Sequence, residues 1–93
     1  MKNQVHVAVQ IVPISNLPLY PIIDKAIEVI HQSGISYRVG AMETVLQGDY
    51  DAIMETIRKA EQACLNSGAD EIVVTLKVHA KRNAAVTWEE KGL

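Results

Sequence analysis

The sequence predicts an α+β fold of order β-α-β-β-α-β, one antiparallel four-stranded sheet with two helices on one face. Three observations predict it. Strongly alternating stretches lie near each end of the chain, "VHVAVQI" and "DEIVVTLKVHAK", the two-residue period of half-buried strands. Two segments with apolar residues at helical spacing lie between them, and a two-strand segment broken by glycine separates those helices. Finally, "HQSGISYRV" and "CLNSGADEIVV" end their helices alike, each with Ser-Gly leading into a strand, so the two halves echo one another. Two split βαβ units of this size interleave most economically in spatial order 4-1-3-2, the ferredoxin-like sandwich.

Each element has its own reason. In strand one, Val5, Val7, Val9 and Ile11 alternate with His6, Ala8 and Gln10. "PISNLPLYP" breaks that pattern with three prolines, and Ser15 or Asn16 is a candidate cap for the first helix. Ile22, Ile23, Ala26, Ile27 and Ile30 set its apolar stripe from about Leu19 to Ser33, and Gly34 closes it. "SYRVG" and "METVLQG" are short strands joined by a hairpin or bulged bend. Asp49 is the expected cap of the second helix, whose stripe is Ile53, Ile57, Ala60 and Cys64 with Met54 beside it. Glu55 and Lys59 form a supporting pair on its wet side, and Gly68 ends it. In strand four, Ile72, Val74, Leu76 and Val78 share the core side with strand one's aliphatics.

Bulk properties narrow the function classes. At 93 residues and 48% hydrophobic content the chain reads as one packed domain, small enough that burial by self-association would add useful stability. A net charge of −2 gives no basic footprint for nucleic acid. The single cysteine, Cys64, falls on an apolar stripe and suits a reducing cytoplasm. No apolar run approaches a membrane span, and the N-terminus lacks the continuous apolar stretch of an export signal. A cytoplasmic location without membrane insertion is expected.

Other trades of this architecture fail on their residues. An RNA module stacks bases on open-sheet aromatics, and the chain has no Phe and no basic bias. Copper carriage needs paired cysteines; His6 and His79 alone make a weak metal site. The loop "VPISNLPLYP" has no Arg, Lys or glycine nest for an acylphosphatase-type anion cradle. With no nucleophile triad, phosphate loop or dinucleotide fingerprint, no catalytic residue and no cofactor is expected. What remains is the sheet face away from the helices, His6, Ala8, Gln10, Val12, Val73, Thr75, Lys77 and His79, which is half apolar. It suits a subunit interface or a pocket wall.

The segment "VGAMETVLQGDYDAIM", preceded by "YPIIDKAIEVIHQSGISY" and followed by "GADEIVVTLKVH" and "TWEEKGL", resembles the small thiamine-binding proteins of the YkoF-like family over nearly the whole chain. Ala41 stands where Pro or Met is more usual in that family. The resemblance implies a ferredoxin-like fold, a cytoplasmic homo-oligomer (dimer or tetramer), and binding of thiamine or its hydroxymethylpyrimidine half without chemistry on it. Such a ligand pairs a thiazolium charge with an aminopyrimidine edge, so its site wants a carboxylate, neutral polar groups and flat walls.

The chain offers candidates for each part. Glu43 can accept from the exocyclic amine or offset the thiazolium charge, Thr44 can bond the ring edge, and Met42 can pack on a ring face. Tyr20 and Tyr37 are candidate aromatic walls, with Gln10 and Lys77 as further polar partners. Each has a plainer alternative: a solvated bend for Glu43, an ordinary strand position for Thr44, core filling for Met42, a helix staple for Tyr20 and surface for Lys77. In the tail, Trp88 is expected to pack on the body or on a neighbouring subunit. Lys81 and Arg82 read as solvated, with a phosphate contact as the alternative. Against the binding reading stands a structural or regulatory homo-oligomer with no vitamin ligand, assembled through its open sheet face.

Overall fold

The computed structural model describes residues 3–93. Its elements are β1 (Val5–Ile14), α1 (Leu19–Gln32), β2 (Ser36–Val39), β3 (Thr44–Gly48), α2 (Tyr50–Asn66) and β4 (Glu71–His79), with a short 3-10 turn at Glu89–Lys91. The strands form one antiparallel sheet in the order β2-β3-β1-β4, which is the expected 4-1-3-2 read from the other edge. Val7 sits opposite Leu46 on one side and Val78 on the other, so odd positions of β1 and even positions of β3 and β4 share the helix side. The ferredoxin-like arrangement therefore follows from the alternation in the sequence.

Val5, Val7, Val9 and Leu46 form the sheet's contribution to the core. Above them α1 places Ile22, Ala26 and Ile30, and α2 places Ile53, Ile57, Ala60 and Cys64. Each large aliphatic so buried stabilises the fold by about 1.5–3 kcal/mol relative to exposure. The Cys64 thiol lies 3.8 Å from the Ile22 carbonyl oxygen, between the two helices. Burial pushes its pKa up, which leaves the thiol poorly nucleophilic.

Five local expectations are revised. Neither Ser15 nor Asn16 caps α1; Pro18 stands at that position without a side-chain bond, while Ser15 Oγ donates to the Gly68 carbonyl at 2.7 Å and so ties the β1–α1 loop to the end of α2. Asp49 does cap α2, its carboxylate accepting from Ala52 N–H at 2.9 Å. β1 runs on to Ile14 through Pro13, which is tolerated because β1 pairs only with β4 beyond Val9. β3 begins at Thr44, so Met42 and Glu43 belong to the bend and not to a strand. Glu55 pairs with Arg58 instead of Lys59. On β4 the helices stop short of Leu76 and Val78, which are 37% and 44% exposed.

The C-terminal tail folds back over one end of the sheet face that the helices leave open. Val86 N–H donates to the Gln4 carbonyl at 3.1 Å, and Trp88 packs on His6 with ring centroids 4.4 Å apart. Trp88 Nε1–H also donates to Ser36 Oγ at 2.9 Å, and the Arg38 guanidinium lies 4.8 Å from its ring. Trp88 thus packs on the body of its own chain. Lys81 is not free but ion-paired with Glu90 at 2.8 Å; that bond and the Thr87 N–H hold the Glu90 carboxyl down to about 2.

His6, expected on an open face, is only 1% exposed beneath this roof. Gln47 Oε1 accepts from Trp88 N–H at 3.0 Å and lies 2.9 Å from His6 Nε2, so Nε2 carries the proton. Nδ1 is then a buried acceptor without a partner among the described residues. Burial pushes the His6 pKa below its ordinary 6.5, against the opposing bond to Gln47; Lys91 and His79 lower it further and Glu90 raises it. Because the unfolded chain takes up this proton first, stability should be complete above about pH 6.5 and fall as pH drops toward the folded value. Urea midpoints at pH 7.5 and 5.5 should therefore differ more for the native protein than for His6→Phe. Equal differences would remove His6 from the pH response.

Candidate ligand-binding site

Unequal strand lengths create a hollow at one end of the sheet. β1 has ten residues and β3 five, so the β1–β3 ladder stops at Val9↔Thr44 while β1 continues to Ile14. α1 borders this free end from Leu19 to Ile30, and the four-residue bend 40–43 closes the side. The result is a hollow of about 470 Å³, within the usual range of small-molecule sites. Its floor is apolar, with Val9, Ile11, Ile27, Ile30 and Cys64. Its polar groups include Gln10, Asp24, Glu43 and Thr44, while Tyr20 and Met42 stand at the rim, 81% and 76% exposed.

The bend is held by a close backbone approach. Gly40 N–H donates to the Glu43 carbonyl at 2.9 Å, and a Cβ on Gly40 would stand 2.8 Å from that same oxygen. Only glycine fits without moving Glu43. Gly40→Ala should displace the bend and weaken ligand binding several-fold, with a stability loss of about 1–2 kcal/mol, on the scale of other local strain. Calorimetric titration alongside urea melts checks this; unchanged affinity would detach the bend from the site.

The seven sequence candidates separate into three groups. Gln10, Tyr20, Met42, Glu43 and Thr44 line the same hollow. Tyr37 does not; it lies on the helix side of β2, its hydroxyl 2.8 Å from His31 Nδ1. Lys77 is not a lining residue either, but its ammonium reaches over β1 to Glu43 Oε1 at 2.9 Å. Thr44 and Leu46 face the helices, whereas Val45 and Gln47 face away, a choice that the strand's own pattern leaves open. Met42 is not core filler.

Sequence reasoning missed Asp24, which lies one helical turn after Tyr20 on the same face of α1. Asp24 and Glu43 both border the hollow, and the Glu43 carboxylate is paired with Lys77, whose side chain leaves the sheet face away from the helices. Such a mouth favours a cation with a flat body, because the negative rim attracts it and Tyr20 and Met42 offer surfaces to stack on. Among the described residues no three His, Cys, Asp or Glu side chains gather closely enough to hold a metal ion. No helix among them is long and apolar enough to cross a membrane.

Comparison with known proteins gives the family and the fold. A family model described as "Thiamine-binding protein" matches residues 7–92. A UPF0045 protein of Clostridium perfringens is 34% identical over 87 residues, covering 92% of this chain and 90% of that protein. Among solved structures, a DUF77 domain from Bacillus cereus superposes with a TM-score of 0.92 at 41% identity, over 96% of this chain and 86% of that one. A protein of Thermotoga maritima described as a "putative thiamine biosynthesis/salvage protein" gives a TM-score of 0.83 at 30% identity, over 95% and 94% of the two chains.

Proposed function

This chain belongs to the thiamine-binding protein family, and from that premise we propose that it binds thiamine or the hydroxymethylpyrimidine half of thiamine in the hollow beneath α1. The observation that carries the proposal is the meeting of Asp24 and Glu43 with Tyr20 and Met42 at the mouth of one apolar hollow. Glu43 accepts from the exocyclic amine, Asp24 offsets the thiazolium charge, Thr44 bonds the pyrimidine edge, and Tyr20 and Met42 cover the ring faces, while Gln10 borders the hollow at the unpaired edge of β1. Lys77 serves as the resting counter-ion of Glu43 and moves aside when the ligand arrives. The ligand leaves unchanged, in keeping with a family described by binding, and the protein acts in vitamin transport or salvage in the cytoplasm as a homo-oligomer.

Titration calorimetry with thiamine, hydroxymethylpyrimidine and the thiazole alcohol tests this directly. Heat with thiamine or the pyrimidine is expected; no heat with any of the three contradicts it. The exposed Val12, Val73, Leu76 and Val78 favour a second reading, a homo-oligomer that assembles through its sheet and holds no vitamin. That reading predicts a stable assembly together with three silent titrations.

A further inference from the structure

We propose that the main chain of Ile11 reads the pyrimidine, its C=O accepting from the exocyclic amine and its N–H donating to the ring nitrogen beside that amine. This deepens the function proposed above and rests on it. The amine carries two hydrogens, so Ile11 takes one and Glu43 the other.

The direction of the Ile11 groups follows from the ladders. Gly40 N–H donates to the Glu43 carbonyl, and that pair continues the β2–β3 register one step past Val39↔Thr44. Opposed residues of antiparallel strands alternate between pairs that exchange main-chain bonds and pairs that exchange none. Thr44 and Leu46 therefore turn their N–H and C=O away from β2 and toward Val9 and Val7 of β1. Odd residues of β1 thus address β3, and even ones address β4. Ile14 agrees, since its carbonyl accepts from Asp70 N–H at 2.8 Å, on the β4 side. Ile11 is the next odd residue past Val9. In a longer β3 the position opposite it would be Met42, which the bend carries to the rim instead. The N–H and C=O of Ile11 hence point along the edge that borders the hollow, and no described residue bonds them.

This edge suits a ring and not another strand. Pro13, the next odd residue, has no N–H, so Ile11 alone presents a donor together with an acceptor beyond Val9. An extended residue with both groups on one side matches an amine beside a ring nitrogen, as an amide side chain does when it reads adenine. The apolar floor of Val9, Ile27 and Ile30 keeps water from competing, which strengthens such bonds. The thiazole ring has no amine beside a nitrogen, so the same edge selects the pyrimidine half.

The test uses the full chain with thiamine, hydroxymethylpyrimidine and the thiazole alcohol as probes. In the free protein the Ile11 amide should exchange with deuterium at least about tenfold faster than those of Gln10 and Val12, which bond to β4. Saturation with thiamine or hydroxymethylpyrimidine should remove that difference, and the thiazole alcohol should not. Ile11→Pro deletes only the N–H that borders the hollow, at an edge that already holds Pro13, so its circular dichroism spectrum should stay native. It should bind the pyrimidine probes about tenfold more weakly, because the ring nitrogen loses its donor, whereas Ile11→Val, which keeps the N–H, should lose about twofold. An Ile11 amide already protected in the free protein, equal protection by the thiazole alcohol, or equal affinities of Ile11→Pro and Ile11→Val would each overturn the assignment and leave the thiamine reading standing. Should Ile11→Pro fail to fold, the exchange measurement on the native chain decides. No heat and no protection with either pyrimidine probe would overturn both.

Discussion

Glu43→Gln is expected to weaken thiamine binding about tenfold or more while leaving the fold intact. A hydrogen bond to a charged group contributes about 1.5–3 kcal/mol, and each 1.4 kcal/mol is a decade in affinity. The Glu43 side chain is 32% exposed, which places the effect toward the lower end of that range. Its partner Lys77 does not oppose binding strongly, because an exposed ion pair of this kind is worth only about 0–1 kcal/mol. Lys77→Met should therefore leave affinity unchanged or tighten it up to about fivefold. Calorimetric titration of both variants separates the two roles. A Glu43→Gln protein that binds like the native one would remove the carboxylate from the site.

Trp88→Ala is expected to produce the largest loss of stability. Trp88 is 6% exposed and closes the tail over His6, Ser36 and Gln47, so its removal opens a cavity, orphans the Ser36 hydroxyl and admits water to His6. Truncating a buried Trp to Ala costs about 3–5 kcal/mol, a large part of the roughly 5–15 kcal/mol that holds a domain folded. The melting temperature should drop by about 12 °C or more at the 4–8 °C per kcal/mol typical of this size. Trp88→Phe keeps most of the ring packing and loses one hydrogen bond, so it should lose only about 1–2 kcal/mol. Thermal unfolding followed by circular dichroism checks both; a tail that rests loosely on the sheet would leave Trp88→Ala near the native melting point.

The contrast between these two residues marks what the sequence discloses. The strands at each end were legible because a half-buried sheet imposes a two-residue period. The observed register puts Val5, Val7, Val9 and Ile11 on the same side as Ile72, Val74, Leu76 and Val78, as the alternation requires. The start of β3 was not legible. Met42 and Glu43 read as strand, but the pairing of Val39 with Thr44 sets the hairpin loop, and that is a cross-strand property. Ser15 looked like a helix cap, yet its hydroxyl is spent on Gly68, 53 residues away. His6 alternates like any residue on an exposed face, and only a tryptophan near the other terminus decides that it is buried.

The candidate site divides along the same line. Glu43, Met42 and Thr44 lie close together in the sequence and meet at the hollow because the chain turns there. Asp24 escaped notice because its position depends on how α1 crosses the unpaired end of β1, a packing angle with no local signature. Tyr37 stands outside the hollow for the opposite reason: an aromatic in a short strand looks available, but the strand's register turns it toward α1 and His31.

Binding is assigned to one place, the hollow bounded by the free end of β1, α1 and the bend 40–43. Amide chemical-shift mapping during titration with thiamine tests that place most directly. The account predicts the largest perturbations at Gln10 to Val12, Tyr20 to Asp24 and Gly40 to Thr44, saturating together with one affinity. Perturbations confined to the outward face at Ala8, Val73 and Thr75, or none at saturating thiamine, would contradict it.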